Sequence, residues 1–127
     1  MLRNFLITND TQDDESRYAV LHYDTDTDQY SMDIPENAIF GSLPAIPWEL
    51  HKMGKTFTDD HWARRWVKER IIPPDRQNIG YILRKIGVPY YTEFAILEYL
   101  GGHSCMDNFY LKELPATDSK ENSKLNQ

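Results

Sequence analysis

Two consecutive prolines, Pro73 and Pro74, interrupt the stretch "WVKERIIPPDRQNIGYILRKIGV", which runs from Trp66 to Val88. Proline has no backbone N–H, and it disfavours the helical conformation in the residue before it. A helix that precedes the pair therefore ends at Ile72. Pro74 suits the first turn of the next helix, where a missing N–H costs nothing. The sequence thus predicts a helix–corner–helix unit over residues 61–87.

Helical periodicity is present on both sides of the corner and again further along the chain. The first helix begins at a cap formed by Thr58 or Asp59, and the second ends at Gly87. A third helix is predicted from Thr92 to the glycine pair Gly101-Gly102. The apolar residues expected to face inward are Trp62, Ala63, Trp66 and Val67 in the first helix, Ile79, Ile82, Leu83 and Ile86 in the second, and Phe94, Ile96, Leu97 and Leu100 in the third.

Before the helices, the chain has the period of β-strands. Residues 17–24 ("RYAVLHYD") and 29–34 ("QYSMDI") alternate between two faces and are rich in strand-forming residues. The "TDTD" segment between them consists of residues that favour turns, which predicts a hairpin. Leu2 to Thr8 is a candidate for a third strand.

Two further segments are less regular. Pro35 to Lys55 contains prolines and glycines that ordinary helices and strands do not run through, so we expect an irregular connector across the core. Ser104 to Asp107 has the form of a capping box, and Asn108 to Leu114 is predicted as a short strand or a turn of helix.

These elements predict an α+β fold, in which a small N-terminal antiparallel sheet of two or three strands is followed by a three-helix cluster. Residues 1–114 are expected to form one domain, and residues 115–127 a disordered polar tail. The single cysteine, Cys105, excludes a disulfide within the chain and fits a reducing compartment. No apolar run approaches the roughly 18 residues that span a bilayer, so a cytoplasmic location is expected.

The sequence gives little support to enzyme chemistry. His103 and Cys105 lie two residues apart, but zinc sites use paired ligands at a second matching spacing, so no metal is expected. Cys105 has no recognisable base and is interpreted as a structural thiol. The "GGHS" segment lacks the lysine of a phosphate-binding loop. We therefore expect a non-enzymatic protein with no cofactor, no membrane association and no small-molecule substrate.

Charge is unevenly distributed along the chain. Residues 1–36 carry nine acids and two bases, a net −7, whereas residues 61–87 carry seven bases and two acids, a net +5. Mutual neutralisation within the fold is the favoured interpretation, because phosphate binding usually accompanies a basic domain. On this interpretation Arg70 and Arg76 hydrogen-bond carbonyls and acids to fix the corner.

Two alternatives follow from the same charges. One is a nucleic-acid-binding regulator that uses residues 61–87 as a reading unit. Its candidate residues are Arg64, Arg65, Lys68, Arg76, Arg84 and Lys85. The other is an acidic mobile-element protein that inhibits a host nucleic-acid-binding factor by mimicking nucleic acid. Its candidate residues are Asp13, Asp14, Asp24 and Asp26.

A set of spaced residues resembles a known family. The pattern comprises a "W-x-x-x-R-x-I-P" helix end, an arginine two residues after the second proline, an "I-L-x-x-x-G" helix, and a terminus of Asp, any residue, Phe or Tyr, Tyr or Trp, and Leu or Ile, which reads "DNFYL" here. The matching residues are Trp66, Arg70, Ile72, Pro73, Arg76, Ile82, Leu83, Gly87, Asp107, Phe109, Tyr110 and Leu111. Over residues 17–114 the chain resembles the N-terminal portion of HipA-like serine/threonine kinase toxins, and the small companion proteins encoded beside such kinases.

The resemblance implies a specific role. In that family the module is a small sheet-plus-helix unit that packs against the kinase, and in three-component toxin–antitoxin systems it is a separate protein that restrains the kinase. This chain has no glycine-rich loop and no catalytic-loop motif of a kinase core. The resemblance therefore implies a regulatory protein whose partner is a HipA-like kinase. Positions expected to serve as framework or partner-binding residues are Trp66, Arg70, Arg76, Asp107 and Tyr110.

Overall fold

The computed structural model describes residues 1–10, 14–104 and 107–115. The strands within these ranges are β1 (Leu2–Thr8), β2 (Ala19–Asp24), β3 (Gln29–Asp33), β4 (Phe57–Thr58) and β5 (Tyr110–Glu113). The α-helices within them are α1 (Ala45–Lys52), α2 (Asp60–Lys68), α3 (Ile79–Ile86) and α4 (Glu93–Leu100). Asp13, Cys105 and residues 116–127 of the predicted tail lie outside the described residues.

All five strands in the described residues pair antiparallel in one sheet, in the order β4-β3-β2-β1-β5. This confirms the α+β class, the N-terminal hairpin and the third strand. The prediction of two or three strands is too low, because β4 and β5 add one strand at each edge. Of the two interpretations offered for residues 108–114, the strand is the right one. β4 has two residues and β5 has four, so neither is long enough to show a clear alternation.

The alternation of the central strands places the core on one face of the sheet. Tyr30 and Met32 of β3, and Ile34 after it, are all buried, as their spacing predicts. Helices α2 and α4 contribute Trp66, Val67 and other residues to the same core. Phe94 of α4 stacks on Tyr23 of β2, with ring centroids 4.1 Å apart. The core therefore lies mainly between one sheet face and helices α2 and α4, and α1 adds Leu50 to it.

Helix α1 contradicts the prediction of an irregular connector over residues 35–55. Pro44 precedes the helix as its cap, and Pro47 is its third residue. The first backbone N–H groups of a helix have no intrahelical acceptor, so a proline in the first turn removes no hydrogen bond. The described residues thus contain four α-helices rather than three.

The corner between α2 and α3 is longer than predicted. Asp59 caps α2 by accepting a hydrogen bond from the His61 N–H, as expected, but α2 ends at Lys68 and not at Ile72. Helix α3 begins at Ile79, so the prediction that Pro74 lies in its first turn is wrong. Turn hydrogen bonds fill the gap, from the Arg76 N–H to the Pro73 carbonyl and from the Ile79 N–H to the Arg76 carbonyl.

Helix α3 has the predicted apolar residues but does not place them in the core. Gly87, which caps the C-terminus of the helix, has a left-handed conformation with φ of 83°, as predicted. None of its residues is fully buried, and its apolar residues at helical spacing are only half-buried: Ile79, Ile82, Leu83 and Ile86. None of these four belongs to the core or to the partly buried residues packed against it.

Helix α4 is capped by Thr92 and ends at Gly101, both as predicted. The capping box predicted at residues 104–107 includes Cys105 and Met106, which lie outside the described residues. The Asp107 carboxylate accepts a hydrogen bond from the Phe109 N–H, which leads directly into β5. In the described part of the chain, no helix has the length and apolar character required to cross a membrane.

Candidate protein-interaction surface

Three of the residues singled out from the sequence form one buried cluster. The Arg70 guanidinium lies over the Trp66 ring, with its Cζ 4.4 Å from the ring centroid. It donates hydrogen bonds to both carboxylate oxygens of Asp107, at 3.1 and 2.8 Å. Its Nε and Nη2 also donate to the carbonyls of Gly102 and Phe109, at 2.9 and 3.2 Å. Arg70 therefore ties the end of α2 to the segment that precedes β5.

The electrostatics of this cluster favour the charged pair. Burial opposes ionisation of Asp107, but hydrogen bonds from Arg70 and from the Phe109 N–H outweigh it, and the pKa of Asp107 lies below its ordinary value. The Arg70 side chain is only 5% exposed, so it offers little surface to a partner. Its position is that of a framework residue.

Tyr110 and Arg76 lie outside this cluster. The Tyr110 hydroxyl donates to the Asp10 carboxylate at 2.9 Å, and its ring stacks on His103 with centroids 5.2 Å apart. Arg76 is exposed, and within the described residues its side chain forms no ion pair. The five singled-out positions are thus divided between a buried brace and two separate surface positions.

The six bases of the nucleic-acid alternative are divided as well. Arg64 pairs with Asp60 at 2.8 Å and also with Glu93, while its guanidinium lies over the Tyr30 ring. Lys68 lies 3.7 Å from Glu93. These contacts occupy the side of α2 that faces β3 and α4. The other four bases of this set are exposed: Arg65, Arg76, Arg84 and Lys85.

The acids of the mimicry alternative also have local partners. Asp24 and Asp26 lie 3.5 and 2.6 Å from the amino group of Met1. Asp14 caps a short 3-10 helix, and hydrogen bonds from the Ser16 hydroxyl and the Ser16 N–H lower the pKa of its carboxyl. Asp13 lies outside the described residues. The described acids of this set therefore form local contacts within the N-terminal part of the chain.

A groove that the sequence did not predict lies between α1, β4 and α2, with a volume of about 630 Å³. Its apolar lining is formed by Ile46, Leu50, Met53, Phe57 and Trp62. Leu50 is buried at its base, whereas Met53, Phe57 and Trp62 are 67%, 54% and 37% exposed. Charged side chains also line it: Glu49, Lys55, Asp59, Arg65 and Glu69.

Local sequence positions each wall of the groove. Ile46, Leu50 and Met53 are spaced by four and three residues, so they share one face of α1 and of the turn that ends it. Trp62 was expected to face the core with the other apolar residues of α2, but it lies on the groove side instead. Arg65 lies over the Trp62 ring, with its Cζ 5.5 Å from the centroid, and near Glu69 at 3.6 Å.

The groove was missed because α1 was missed. The spacing of Ile46, Leu50 and Met53 is the signal that could have identified it, but the prolines at positions 44 and 47 outweighed that signal in the sequence interpretation. The exposed side of Trp62 could not be inferred, because Trp62 and Trp66 have the same i, i+4 relation as two core residues.

The groove has the composition of a binding surface for apolar side chains. Large apolar groups surround a concavity, and charged groups lie among them, which is the usual anatomy of a protein-interaction site. Among residues 1–10, 14–104 and 107–115, no group of three or more His, Cys, Asp or Glu side chains is placed to hold a metal ion. Comparison of the chain with protein-family models, with curated proteins and with solved structures finds no match.

Proposed function

We propose that this protein is a non-enzymatic interaction module, and that the groove between α1, β4 and α2 receives apolar side chains from a protein partner. The observation that carries the proposal is the exposure of Met53, Phe57 and Trp62 around one concavity. Leaving such groups in water costs about 25 cal/mol for each Å² of apolar surface, and a partner that covers them recovers that free energy.

The proposed partner is a HipA-like kinase, which this protein modulates in the cytoplasm. The resemblance over residues 17–114 supports that assignment. Several residues that carry the resemblance, Trp66, Arg70 and Asp107, form the buried brace that joins α2 to β5. Shared framework residues of this kind fit a shared module, and the partner surface then lies on exposed residues of the same module.

The test searches the neighbouring genes for a HipA-like kinase and measures its affinity for the full chain by calorimetry. Trp62→Ala and Phe57→Ala are each expected to weaken binding by roughly 30-fold, which corresponds to about 2 kcal/mol for a central anchor. The matched control is Phe40→Ala, since Phe40 is 86% exposed and does not line the groove. That variant is expected to bind like the wild type.

Two outcomes contradict different parts of the proposal. If the wild type binds no such kinase, the partner assignment is wrong. If it binds and the groove variants bind equally well, the module is an interaction protein but the groove is not its contact surface. Folding of each variant is checked by circular dichroism and thermal unfolding.

A further inference from the structure

The ion pairs of the described residues leave one region without partners. Eight basic side chains each lie within 4.0 Å of a carboxylate: Arg3, Arg17, Lys52, Arg64, Arg65, Lys68, Arg70 and Lys112. Within the same ranges, no ion pair is formed by Lys55, Arg76, Arg84 or Lys85. Three of these four bases lie on α3 or in the turn that leads to it.

The α3 region is therefore a local positive surface on an acidic protein. Residues 72–91 contain three bases, Arg76, Arg84 and Lys85, and one acid, Asp75, so their net charge is +2, against −6 for the whole chain. Both bases of α3 are exposed in its last turn, and α3 itself has no acid. Bases that form no ion pair within the described residues attract an acidic partner and repel a basic one.

The same surface carries exposed aromatic groups. Tyr81 on α3 is 56% exposed, and Tyr90 just after α3 is 67% exposed. Lys85 lies over the Tyr81 ring, with its Nζ 5.6 Å from the centroid. Tyrosine is enriched at protein interfaces, because it offers a large contact area with few rotatable bonds. The half-buried apolar residues of α3 lie on the opposite side of the helix from Tyr81, Arg84 and Lys85, so the exposed side is formed by the tyrosine and the two bases.

The surface is held in place by its flanking residues. Gly87 ends α3 in a left-handed conformation, and the Val88 N–H donates to the Leu83 carbonyl. The Tyr91 hydroxyl donates to the Ile72 carbonyl at 2.8 Å, which closes the loop around α3. A surface that is ordered before binding loses less conformational entropy when a partner docks.

We propose that α3, together with Arg76 and Tyr90, docks an acidic amphipathic segment of a protein partner. Carboxylates of that segment pair with Arg76, Arg84 and Lys85, and its apolar side chains cover the exposed rings of Tyr81 and Tyr90. This surface shares no residue with the groove between α1 and α2, so the proposal does not depend on the groove.

A nucleic acid is the less favourable occupant. Affinity for phosphates rises with the number of bases that contact them, and this surface offers only Arg76, Arg84 and Lys85 among the residues that the structure describes. Asp75 lies at the same surface, and the charge of −6 on the whole chain opposes approach of a polyanion. A protein segment supplies both fewer negative charges and apolar side chains, which match the mixed character of α3.

The experiment compares three defined probes by fluorescence anisotropy with the full chain. The first is a synthetic amphipathic peptide of about 15 residues, with Glu and Asp on one face and Leu at i, i+3, i+4 and i+7. The second is a polyglutamate of the same charge, and the third is a duplex DNA of matched length. The amphipathic peptide is expected to bind at least roughly tenfold more tightly than either other probe.

Matched variants locate the binding site. The double variant Arg84→Glu with Lys85→Glu is expected to weaken peptide binding by roughly tenfold or more. Lys52→Glu with Lys112→Glu changes the net charge equally at exposed positions elsewhere, and is expected to bind within about twofold of the wild type. Arg76→Glu, which lies outside α3, provides a second test in case the double variant disturbs the helix.

Each contrary outcome overturns the proposal in a distinct way. Absence of peptide binding rejects the site. Equal loss in both double variants shows that net charge alone drives the association. Tighter binding of duplex DNA than of the peptide, lost in Arg84→Glu with Lys85→Glu, assigns the surface to nucleic acid instead.

Discussion

Arg70 holds both carboxylate oxygens of Asp107, with Nη1 3.1 Å from Oδ2 and Nη2 2.8 Å from Oδ1. The two residues are 37 positions apart, so the pair joins the end of α2 to the segment that enters β5. The same guanidinium donates to two backbone carbonyls and stacks on Trp66. One side chain thus satisfies acceptors on Gly102, Asp107 and Phe109, all in the segment between α4 and β5.

Replacing Arg70 by lysine keeps the charge but removes the planar fork. We expect Arg70→Lys to lower the free energy of unfolding by about 2–3 kcal/mol, below the full cost of breaking a buried pair because the Asp107 side chain is 24% exposed. Urea denaturation measures the change. The control is Arg76→Lys, an exposed position without an ion pair in the described chain, where a change beyond about 0.5 kcal/mol would contradict the distinction.

The Arg70–Asp107 pair also predicts a pH dependence of stability. The pKa of Asp107 is lower in the folded protein than its ordinary value of about 3.9, so the pair contributes fully above that pH. Its contribution is lost as the pH falls through the lowered folded pKa. The difference in unfolding free energy between the wild type and Asp107→Asn is therefore expected to be largest near neutral pH and to shrink below about pH 4. A difference that is constant between neutral pH and acid is incompatible with this account.

Gly102 is expected to tolerate no side chain. Its φ is 77°, and an added Cβ would lie 2.8 Å from the Leu111 backbone nitrogen and in contact with the Leu111 side chain. Gly102→Ala is expected to lower the free energy of unfolding by about 3 kcal/mol or more, through backbone strain and overlap together. Gly54→Ala separates the two causes, since φ there is 79° with open space around the Cβ position. That variant should cost only about 1 kcal/mol, measured in the same thermal unfolding series.

Replacing each of two buried tyrosines by phenylalanine is expected to change the free energy of unfolding in opposite directions. The Tyr30 hydroxyl is buried and has no hydrogen-bond partner among the described residues. Removing it in Tyr30→Phe is expected to raise the free energy of unfolding by about 1 kcal/mol, because an unsatisfied polar group leaves the core. The Tyr18 hydroxyl donates to Asn9 at 3.0 Å, so Tyr18→Phe is expected to lower stability by about 1–2 kcal/mol. Equal effects of the two substitutions would show that the Tyr30 hydroxyl has a partner in solution.

The predictable parts of the fold are those whose apolar residues repeat at a regular spacing along the chain. Alternation identified β2 and β3, and apolar spacing with caps at Asp59, Thr92 and Gly87 identified three of the helices. Short elements carry no such repetition. The two residues of β4 become a strand only because β3 lies beside them, and that partnership is a property of the tertiary structure.

The candidate surfaces were less predictable than the fold. The motif that contains Trp66 and Arg70 identified residues of the buried brace. The groove depends instead on α1 and on the outward orientation of Trp62, and neither was predicted. Charge along the sequence grouped Arg64 with Arg84, yet three-dimensional packing gave Arg64 four acidic or aromatic partners and left Arg84 without an ion pair in the described residues. Which bases are neutralised is decided by residues distant in sequence, so no local pattern reports it.

The position of β5 has a consequence for biosynthesis. β1 pairs on one side with β2, which follows it closely, and on the other with β5, where Thr8 lies opposite Tyr110. While the ribosome is still adding the residues before β5, the nascent chain can close the β1–β2–β3 meander but must leave the second edge of β1 open. That edge belongs to the apolar sequence "LRNFLIT", which is prone to pair with another chain until Glu113 has emerged. Truncations that remove β5 should therefore aggregate during expression even though they retain most of the apolar core.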